Sequence, residues 1–308
     1  IINGTINYSF NSDLNISHFG SEFTIHNSSE VNELYFEKEI SSFEVHNFTD
    51  YDNVINVNIK QKPINPSIVD SIDKFEYNKF SIDFNKLDFS QYSKRKEEFI
   101  KTVLPLILYE NQKILLERKK LQELKNLLIT KNTLDNVDLK YLAKIAKNYK
   151  IKSKNKHKLD LVNELLISVD IIPNSIVLSQ AANESGWGTS RFAKEYNALF
   201  GEYTYNFSEG VIPLKRDKDA KHLVKSFSSI DKSIQSYFNN INTHHAYQDF
   251  REVRQIMRNK NNFSKIDILV SRLDTYAADE KYIDTIKSII KSNNLKKFDF
   301  SIYTFVSL

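Results

Sequence analysis

The chain of 308 residues contains no cysteine, and it has only one tryptophan, one methionine, five prolines and six glycines. The lack of cysteine excludes disulfide bonds, thiolate metal ligands and a thiol nucleophile together. It does not locate the protein, because an exported chain that needs no covalent cross-link can lack cysteine as readily as a cytoplasmic one. The scarce glycines and the single tryptophan are more informative, since three of them stand side by side at positions 186–188.

Long apolar runs and a strong excess of charge are also missing. The apolar runs are too short to span a bilayer, so we predict no transmembrane segment. The formal net charge of +4 comes with scattered lysines and no nucleic-acid motif, so we predict no nucleic-acid partner. The chain begins at Ile1 rather than Met, which we interpret as a processed or trimmed product whose missing leader leaves export open.

Composition and periodicity divide the chain into three predicted regions. Residues 1–90 are rich in Asn, Ser, Asp and aromatic side chains, and alternating runs at 23–25 and 55–59 predict strands in a β- and loop-rich region of unknown role. Residues 91–155 are expected to form helices that pack on a third region, 156–308. Apart from a small β lobe predicted at 202–227, that third region has helical periodicity, so the predicted fold class is mainly α (α+β).

Apolar residues at spacings of three and four define the predicted helices. The longest runs from about residue 93 to 129, and Pro105 should kink it or separate two helices. Shorter helices are predicted near residues 135–148, 159–168, 191–194, 230–242, 250–259, 266–273 and 281–292. Alternating apolar residues in the tail, 297–308, are compatible with a strand.

The segment QAANESGWGTS at residues 180–190 contains one acid, two glycines and the only tryptophan. The apolar run before it, with Pro173 in the first turn, predicts a buried helix that ends at Glu184, just before Gly186 and Gly188. Apolar surroundings raise the pKa of a carboxyl, so Glu184 is a candidate general acid. The alternative is a helix C-cap with an exposed glutamate and a tryptophan in the core, and local chemistry leaves both open.

Aromatic and histidine side chains supply the remaining candidates. Trp187, Tyr203 and Tyr205 offer flat apolar faces that suit stacking on sugar rings, although they could equally be core residues. The adjacent His244 and His245 point in different directions on a helix and lack an acid-containing ligand pattern. We therefore predict no metal site there, and a structural or substrate-contacting role instead.

Several segments together resemble one known family. QAANESGWGTS at 180–190, NALFG at 197–201 and YAADEKY at 276–282 are similar to the signature of family 73 glycoside hydrolases, the endo-β-N-acetylglucosaminidases of bacterial cell walls, which have a lysozyme-like fold. RKEEF at 95–99, NTH at 242–244 and FR at 250–251 resemble the Bax-type branch. The resemblance covers about residues 92–295 and leaves out the first ninety.

The resemblance implies a peptidoglycan hydrolase that cleaves the β-1,4 bond after N-acetylglucosamine. Glu184 would be the general acid, and the hydroxyl of Tyr276 would steer a water or the acetamido group of the substrate. No cofactor is implied, the partner would be the glycan strands, and the location would be periplasmic or extracellular, in association with the cell envelope. The residues that we expect to bind substrate are Gln180, Trp187, Asn197, Phe200, Tyr203, Tyr205 and Tyr282.

The chain departs from the family pattern at the second acid. The matching stretch, VIPLKRDKDA at 211–220, holds no glutamate. Four acids are possible substitutes, and we prefer Glu209, because a flexible Ser-Glu-Gly tip can reach into a groove. They are Glu202, Glu209, Asp217 and Asp219. An inverting mechanism needs a base about 6.5–9.5 Å from the acid, whereas a substrate-assisted one uses the N-acetyl group, and the missing glutamate favours the second.

Two other functions fit the same residues. One is cleavage after N-acetylmuramic acid, by hydrolysis or by lytic transglycosylation, because one scaffold supports several bond specificities. The other is a non-catalytic module that binds cell-wall glycan. The set of Glu184, Tyr276 and Trp187 argues against the binding module, since a pure binder would not need the acid.

Overall fold

The structure, a computed structural model, describes residues 92–213, 222–260 and 265–299 and three strands nearer the amino terminus. These strands are β1 (Asn7–Tyr8), β2 (Asn15–His18) and β3 (Ser21–Ile25). They form a sheet of order β1-β3-β2, in which β1 is parallel and β2 antiparallel to β3. The predicted strand at 23–25 lies within β3, whereas the run at 55–59 lies outside the described residues.

Helix α1 (Tyr92–Lys131) is a single helix of 40 residues that continues through Pro105. Of the two outcomes expected at Pro105, a kink or a junction between two helices, the junction is therefore excluded. A proline inside a helix loses one hydrogen bond and costs roughly 3 kcal/mol. The flanking residues Leu104, Leu106 and Ile107 are buried in the core, and their packing offsets that cost.

The other helices follow the predicted order along the chain. Their bounds are α2 (Asn136–Asn148), α3 (Lys158–Ser168), α4 (Asn174–Ser185), α5 (Arg191–Tyr196), α6 (Ile230–Thr243), α7 (Gln248–Asn259), α8 (Ile266–Val270) and α9 (Tyr282–Ser292). Two 3-10 turns cover His245–Tyr247 and Leu295–Phe298. The beginning of the tail is thus helical rather than extended, and residues 300–308 lie outside the described part.

A small β lobe separates α5 from α6. It consists of β4 (Tyr203–Thr204), β5 (Gly210–Val211) and β6 (Leu223–Lys225), in the order β4-β6-β5 with both pairs antiparallel. Gly210 permits this close pairing, because a Cβ there would lie 2.5 Å from the Cβ of Leu223. The prediction of a mainly helical fold with a small β lobe is confirmed.

Helix α4 is the central element of the helical part. Nearly all of its residues are buried, and it contacts α1, α9 and the 3-10 turn at Leu295–Phe298. Asp299 receives hydrogen bonds from the backbone N–H and the hydroxyl of Ser175 at 2.7 and 2.8 Å, which holds the first turn of α4. A helix that is buried on all sides places its last residue accurately, and the last turn of α4 contains Glu184.

A buried charge cluster lies at the entrance to α4. The carboxylate of Asp170 pairs with Arg258 and Arg118, while Arg254 donates to the carbonyl oxygens of Asp170 and Ile171 at 3.0 Å each. Burial alone would raise the pKa of Asp170, but the three arginines together lower it well below its usual range. The loop before α4 is therefore held by the ion pairs of Asp170 and by hydrogen bonds from Arg254 to the main chain.

Candidate active site

Glu184 lies where α4 ends in a Schellman motif. Gly186 adopts the left-handed conformation (φ 58°), and the N–H of Trp187 bonds to the carbonyl of Ala182 at 2.9 Å. Trp187 and Gly188 are also left-handed, with φ of 58° and 78°. Three successive left-handed residues turn the chain sharply away from the helix, and the Glu184 side chain is consequently left at the edge of the helical core.

The residues after Glu184 serve this turn. The Ser185 hydroxyl donates to the Ala181 carbonyl at 2.5 Å and accepts the N–H of Gly188 at 2.8 Å. The Trp187 ring packs edge-on against Phe99 at 5.6 Å, and the ammonium of Lys96 lies 5.0 Å from its centre. Trp187 therefore anchors the turn to α1, which fits a packing role better than the predicted sugar stacking.

The Glu184 carboxyl is half-buried, and burial raises its pKa above the usual value. Hydrogen bonds from Asn183 and Tyr282 act in the opposite direction and lower the pKa. A Cβ on Gly201, whose φ is +62°, would stand 3.4 Å from Glu184 Oε2, so bare main chain lies against this carboxyl. A carboxyl with a raised pKa can hold a proton at higher pH than a solvated one, as general acid catalysis requires.

A chain of buried hydrogen bonds leads to Glu184 through the helical core. The Tyr237 hydroxyl on α6 donates to Gln180 Oε1 at 2.5 Å, and Gln180 Nε2 donates to the Tyr282 hydroxyl at 2.8 Å. The Tyr282 hydroxyl in turn interacts with the Glu184 carboxylate and lowers the pKa of Glu184. Gln180, Tyr237 and Tyr282 are at most 3% exposed. We call these three residues the relay.

Tyr276 lies beside the relay, with its ring stacked on that of Tyr282 at 5.6 Å and 9°. Its hydroxyl donates to the Phe200 carbonyl at 2.9 Å. That donation leaves only the oxygen lone pairs free, so Tyr276 can accept from a water or an acetamido N–H. Burial raises the pKa of Tyr276 and Tyr237 well above 10, and that of Tyr247 to about 12.

Four residues predicted to bind substrate instead lie in the protein interior or hold a turn. Gln180, Phe200 and Tyr282 are buried, and the Phe200 ring stacks on Tyr237 at 4.1 Å. Asn197 is a left-handed C-cap of α5 whose amide donates to the Phe227 carbonyl at 3.1 Å. The polar groups of Gln180, Asn197 and Tyr282 are hydrogen-bonded within the fold, and the Phe200 ring is covered, so this arrangement favours structural roles for all four.

The β lobe carries the exposed aromatic side chains. Tyr203 and Tyr205 are 66% and 76% exposed, and Phe207 is exposed to a similar extent. The Tyr203 ring contacts that of His222 at 4.4 Å. These rings are available to a sugar, as the sequence indicated for Tyr203 and Tyr205.

The candidate second acids differ in their surroundings. Glu209 is exposed on the turn before β5, and its backbone bonds stay within the lobe, to Asn206 and Ser226. Nothing among its described contacts brings it to Glu184, which counts against the preference for Glu209. Asp217 and Asp219 lie outside the described residues.

Glu202, directly after Gly201, is instead enclosed. Its Oε2 accepts from the Ser236 hydroxyl at 2.9 Å, while its Oε1 is buried and has no hydrogen-bond partner among the described residues. Burial raises the pKa of Glu202 despite Ser236, Lys225 and Lys150. Burial is the main cause of the raised pKa of Tyr237 and Tyr276, and the charges of Glu202 and Glu184 both add to it, so both carboxylates act electrostatically on the same tyrosines.

His244 and His245 are exposed at the end of α6, with their ring centres 4.2 Å apart. His244 Nδ1 accepts the N–H of Ala246 at 3.3 Å, which caps the 3-10 turn. Across the ranges that the structure describes, no three His, Asp or Glu side chains gather as a metal site would need, and no helix has the length and apolarity to cross a membrane.

A carboxyl with a raised pKa at a helix end, next to a lobe of exposed aromatic rings, suits general acid chemistry on a sugar. Comparison with known proteins agrees. The model of the glucosaminidase family, described as mannosyl-glycoprotein endo-beta-N-acetylglucosaminidase, matches residues 159–295. Protein bax of Escherichia coli (strain K12) is 36% identical over 219 residues, which cover 68% of this chain and 74% of that protein.

Among solved structures, the catalytic domain of the autolysin Auto from Listeria monocytogenes matches with a TM-score of 0.33 and 18% identity. The match covers 58% of this chain and 96% of that domain. On the strength of the sequence matches, the chain belongs to the glucosaminidase family, family 73 of the glycoside hydrolases. It is a glycosidase-type protein with a glycan substrate.

Sequence reasoning missed the relay partner Tyr237 and the main-chain approach of Gly201. Tyr237 stood among the apolar residues of a predicted amphipathic helix, where a tyrosine gives no sign of its bonding partner. Gly201 was recognised only as part of a turn motif. The available signal was the glycine itself, because glycine is the residue that most readily adopts the positive φ found at this position.

Proposed function

We propose that this protein is a peptidoglycan hydrolase that cleaves the β-1,4 bond after N-acetylglucosamine, with Glu184 as general acid. The observation that carries the proposal is the environment of Glu184. It is half-buried with a raised pKa, the Tyr282 hydroxyl interacts with its carboxylate, and it lies in the last turn of the central helix of a chain in the glucosaminidase family.

The mechanism we favour uses the N-acetyl group of the substrate. Glu184 gives its proton to the glycosidic oxygen as the bond from that oxygen to the anomeric carbon breaks, and the acetamido carbonyl oxygen bonds to the same carbon. The Glu184 carboxylate then takes a proton from water, whose oxygen displaces the acetamido oxygen and completes hydrolysis. The acceptor lone pairs of Tyr276 suit the acetamido N–H, which would orient that group for attack.

This mechanism needs no second carboxylate in contact with the sugar. It therefore agrees with an exposed Glu209 on the β lobe and with a Glu202 whose carboxyl is buried and held by the Ser236 hydroxyl. The exposed Tyr203 and Tyr205 would stack on sugar rings of the strand.

We further propose that the protein acts in the periplasm or outside the cell, in association with the envelope, because its substrate is there. Fractionation of the native host checks this with an antibody against the chain. Recovery of the protein only with cytoplasmic markers would contradict it.

The test is digestion of purified peptidoglycan by wild type, Glu184→Gln and Glu209→Gln, with the new ends identified by mass spectrometry. We expect reducing N-acetylglucosamine ends from wild type and Glu209→Gln. Loss of the general acid should cost at least about 100-fold in rate in Glu184→Gln. The melting temperatures of the three proteins serve as the folding control.

Each other outcome points to a different function. Reducing muramic acid ends or anhydro ends would contradict the bond assignment and favour the muramidase or transglycosylase alternative. Glycan binding without products from the wild type would favour the binding module. Full activity in Glu184→Gln would remove Glu184 from the mechanism.

A further inference from the structure

We propose that Tyr282, held in place by Gln180 and Tyr237, positions the Glu184 carboxyl and stabilises its ionised form after proton transfer. This inference rests on the proposed role of Glu184 as the acid. It assigns a function in the reaction to three side chains that are too deeply buried to touch the glycan.

The direction of the hydrogen bonds supports the proposal. Tyr237 gives its only hydroxyl hydrogen to Gln180 Oε1, so the amide presents Nε2 to Tyr282. The Tyr282 oxygen accepts that N–H bond, and its own hydrogen is then directed to Glu184. A carboxylate needs such a donor, whereas a protonated carboxyl does not, so the bond strengthens as Glu184 releases its proton.

The rigidity of the relay supports the same point. Its members come from three helices, with Gln180 on α4, Tyr237 on α6 and Tyr282 on α9, and all are buried in the core. Ring stacking fixes two of them further, Tyr282 on Tyr276 and Tyr237 on Phe200. A donor fixed in this way stabilises developing charge without rearranging during the reaction.

Few other groups near Glu184 in the described residues can change the pKa of its carboxyl. Asn183 on α4 donates to Glu184 Oε1 at 3.2 Å, and Gly201 offers main chain. In the described residues, the charge of Glu184 acts on three ionisable groups, Tyr282 on α9, Tyr237 on α6 and Tyr276 before α9. The charge of Glu202 acts on Tyr237 and Tyr276 as well. Tyr282 is the one whose hydroxyl lowers the pKa of Glu184 and so favours its carboxylate form.

The experiment compares Tyr282→Phe and Tyr237→Phe with Tyr149→Phe as the matched control. Tyr149 is likewise a buried tyrosine that donates to a glutamate, Glu117, at 2.6 Å, but that glutamate is on α1. The readouts are the pKa of Glu184, from carbon-13 NMR of its carboxyl assigned with Glu184→Gln, the pH profile of glycan cleavage, and the melting temperature.

We expect Tyr282→Phe to raise the pKa of Glu184 by about one unit, because an ionised carboxylate loses a donor. The alkaline limb of the pH profile should move up with it, while kcat falls about tenfold and KM changes little. Tyr237→Phe should act in the same direction more weakly. Tyr149→Phe should lose stability and leave the pKa of Glu184 unchanged.

An unchanged pKa of Glu184 in Tyr282→Phe would overturn the proposal, as would an equal shift in Tyr149→Phe. If Tyr282→Phe does not fold, Tyr237→Phe and Gln180→Met decide by the same readout. The NMR measurement needs no substrate, so it is separate from the proposed function. A shifted pKa together with full activity of Glu184→Gln would reject the acid role alone.

Discussion

The two sides of Glu184 are built in opposite ways. On the helical side, Gln180, Tyr237 and Tyr282 are buried and joined by hydrogen bonds. On the β lobe, Tyr203 is exposed on the two-residue strand β4, and Tyr205 is exposed directly after that strand. The helical side therefore has the rigidity that proton transfer requires, and the lobe has the accessible surface that a polymer requires. Stability and reactivity should depend on the first, and substrate affinity on the second.

The largest expected loss of stability comes from the charge cluster that holds the start of α4. Asp170→Asn leaves Arg118 and Arg258 buried without their carboxylate, which should lower the free energy of unfolding by about 3–5 kcal/mol. Urea denaturation measures it. Asp267→Asn removes an exposed pair with Lys296 and should cost no more than about 1 kcal/mol. Equal losses in both variants would contradict the expected contribution of burial.

The other anchor of α4 should make stability depend on pH. Burial raises the pKa of Asp299 from 3.8 to about 7. A raised folded-state pKa contributes stability that is complete below the unfolded value and is lost as the pH rises through about 7, by at most roughly 1.4 kcal/mol per pH unit.

Asp299→Asn keeps an acceptor and a donor for Ser175 and cannot titrate. We therefore expect a flatter stability profile between pH 4 and 7 in this variant, measured by urea unfolding at several pH values. Parallel profiles for wild type and Asp299→Asn would show that Asp299 does not titrate there, since all other groups are shared.

Glu202 and Glu209 allow the helical side and the β lobe to be compared through two single substitutions of the same kind. Glu202→Gln removes the charge that borders Tyr237 and Tyr276, and we expect kcat to fall about tenfold, the equivalent of one pKa unit. Glu209→Gln changes an exposed turn and should leave kcat unchanged. Kinetics on soluble glycan fragments measure both. A larger loss in Glu209→Gln would restore Glu209 as the second acid.

The smallest effect on folding is expected on the lobe itself. Tyr205→Ala removes an exposed ring and should change the free energy of unfolding by less than about 0.5 kcal/mol. KM should rise several-fold while kcat is retained, because a stacking surface is lost. Tyr203→Ala is the companion variant. A fall in kcat at constant KM would place these rings in the chemistry rather than in binding.

The sequence predicted the helices well because their apolar periodicity was strong, and it predicted the end of α4 because Gly186 and Gly188 are distinctive there. It could not decide between a kink and a junction at Pro105, where the helix continues because the burial of neighbouring leucines outweighs a local preference against helix. Helix propensity is local, whereas the compensation comes from α3, α4 and α6 packed against α1.

The candidate site was predictable as a motif but not as a set of roles. Gln180, Phe200 and Tyr282 were recognised, yet which way each side chain faces depends on contacts between residues up to 102 positions apart, such as Gln180 with Tyr282. The same applies to Glu202 and Glu209, which the sequence presents alike and the fold separates into an enclosed and an exposed carboxylate.

The tyrosines around Glu184 have a further consequence. Burial raises the pKa of Tyr237, Tyr276 and Tyr282 well above 10 and that of Tyr247 to about 12, so these four hydroxyls keep their protons at neutral pH. They are fixed dipoles rather than titrating neighbours. Apart from removal of the Tyr282 hydroxyl, a designed change in the working pH of this protein therefore acts through the burial of Glu184, and the main chain at Gly201 lies against that carboxyl.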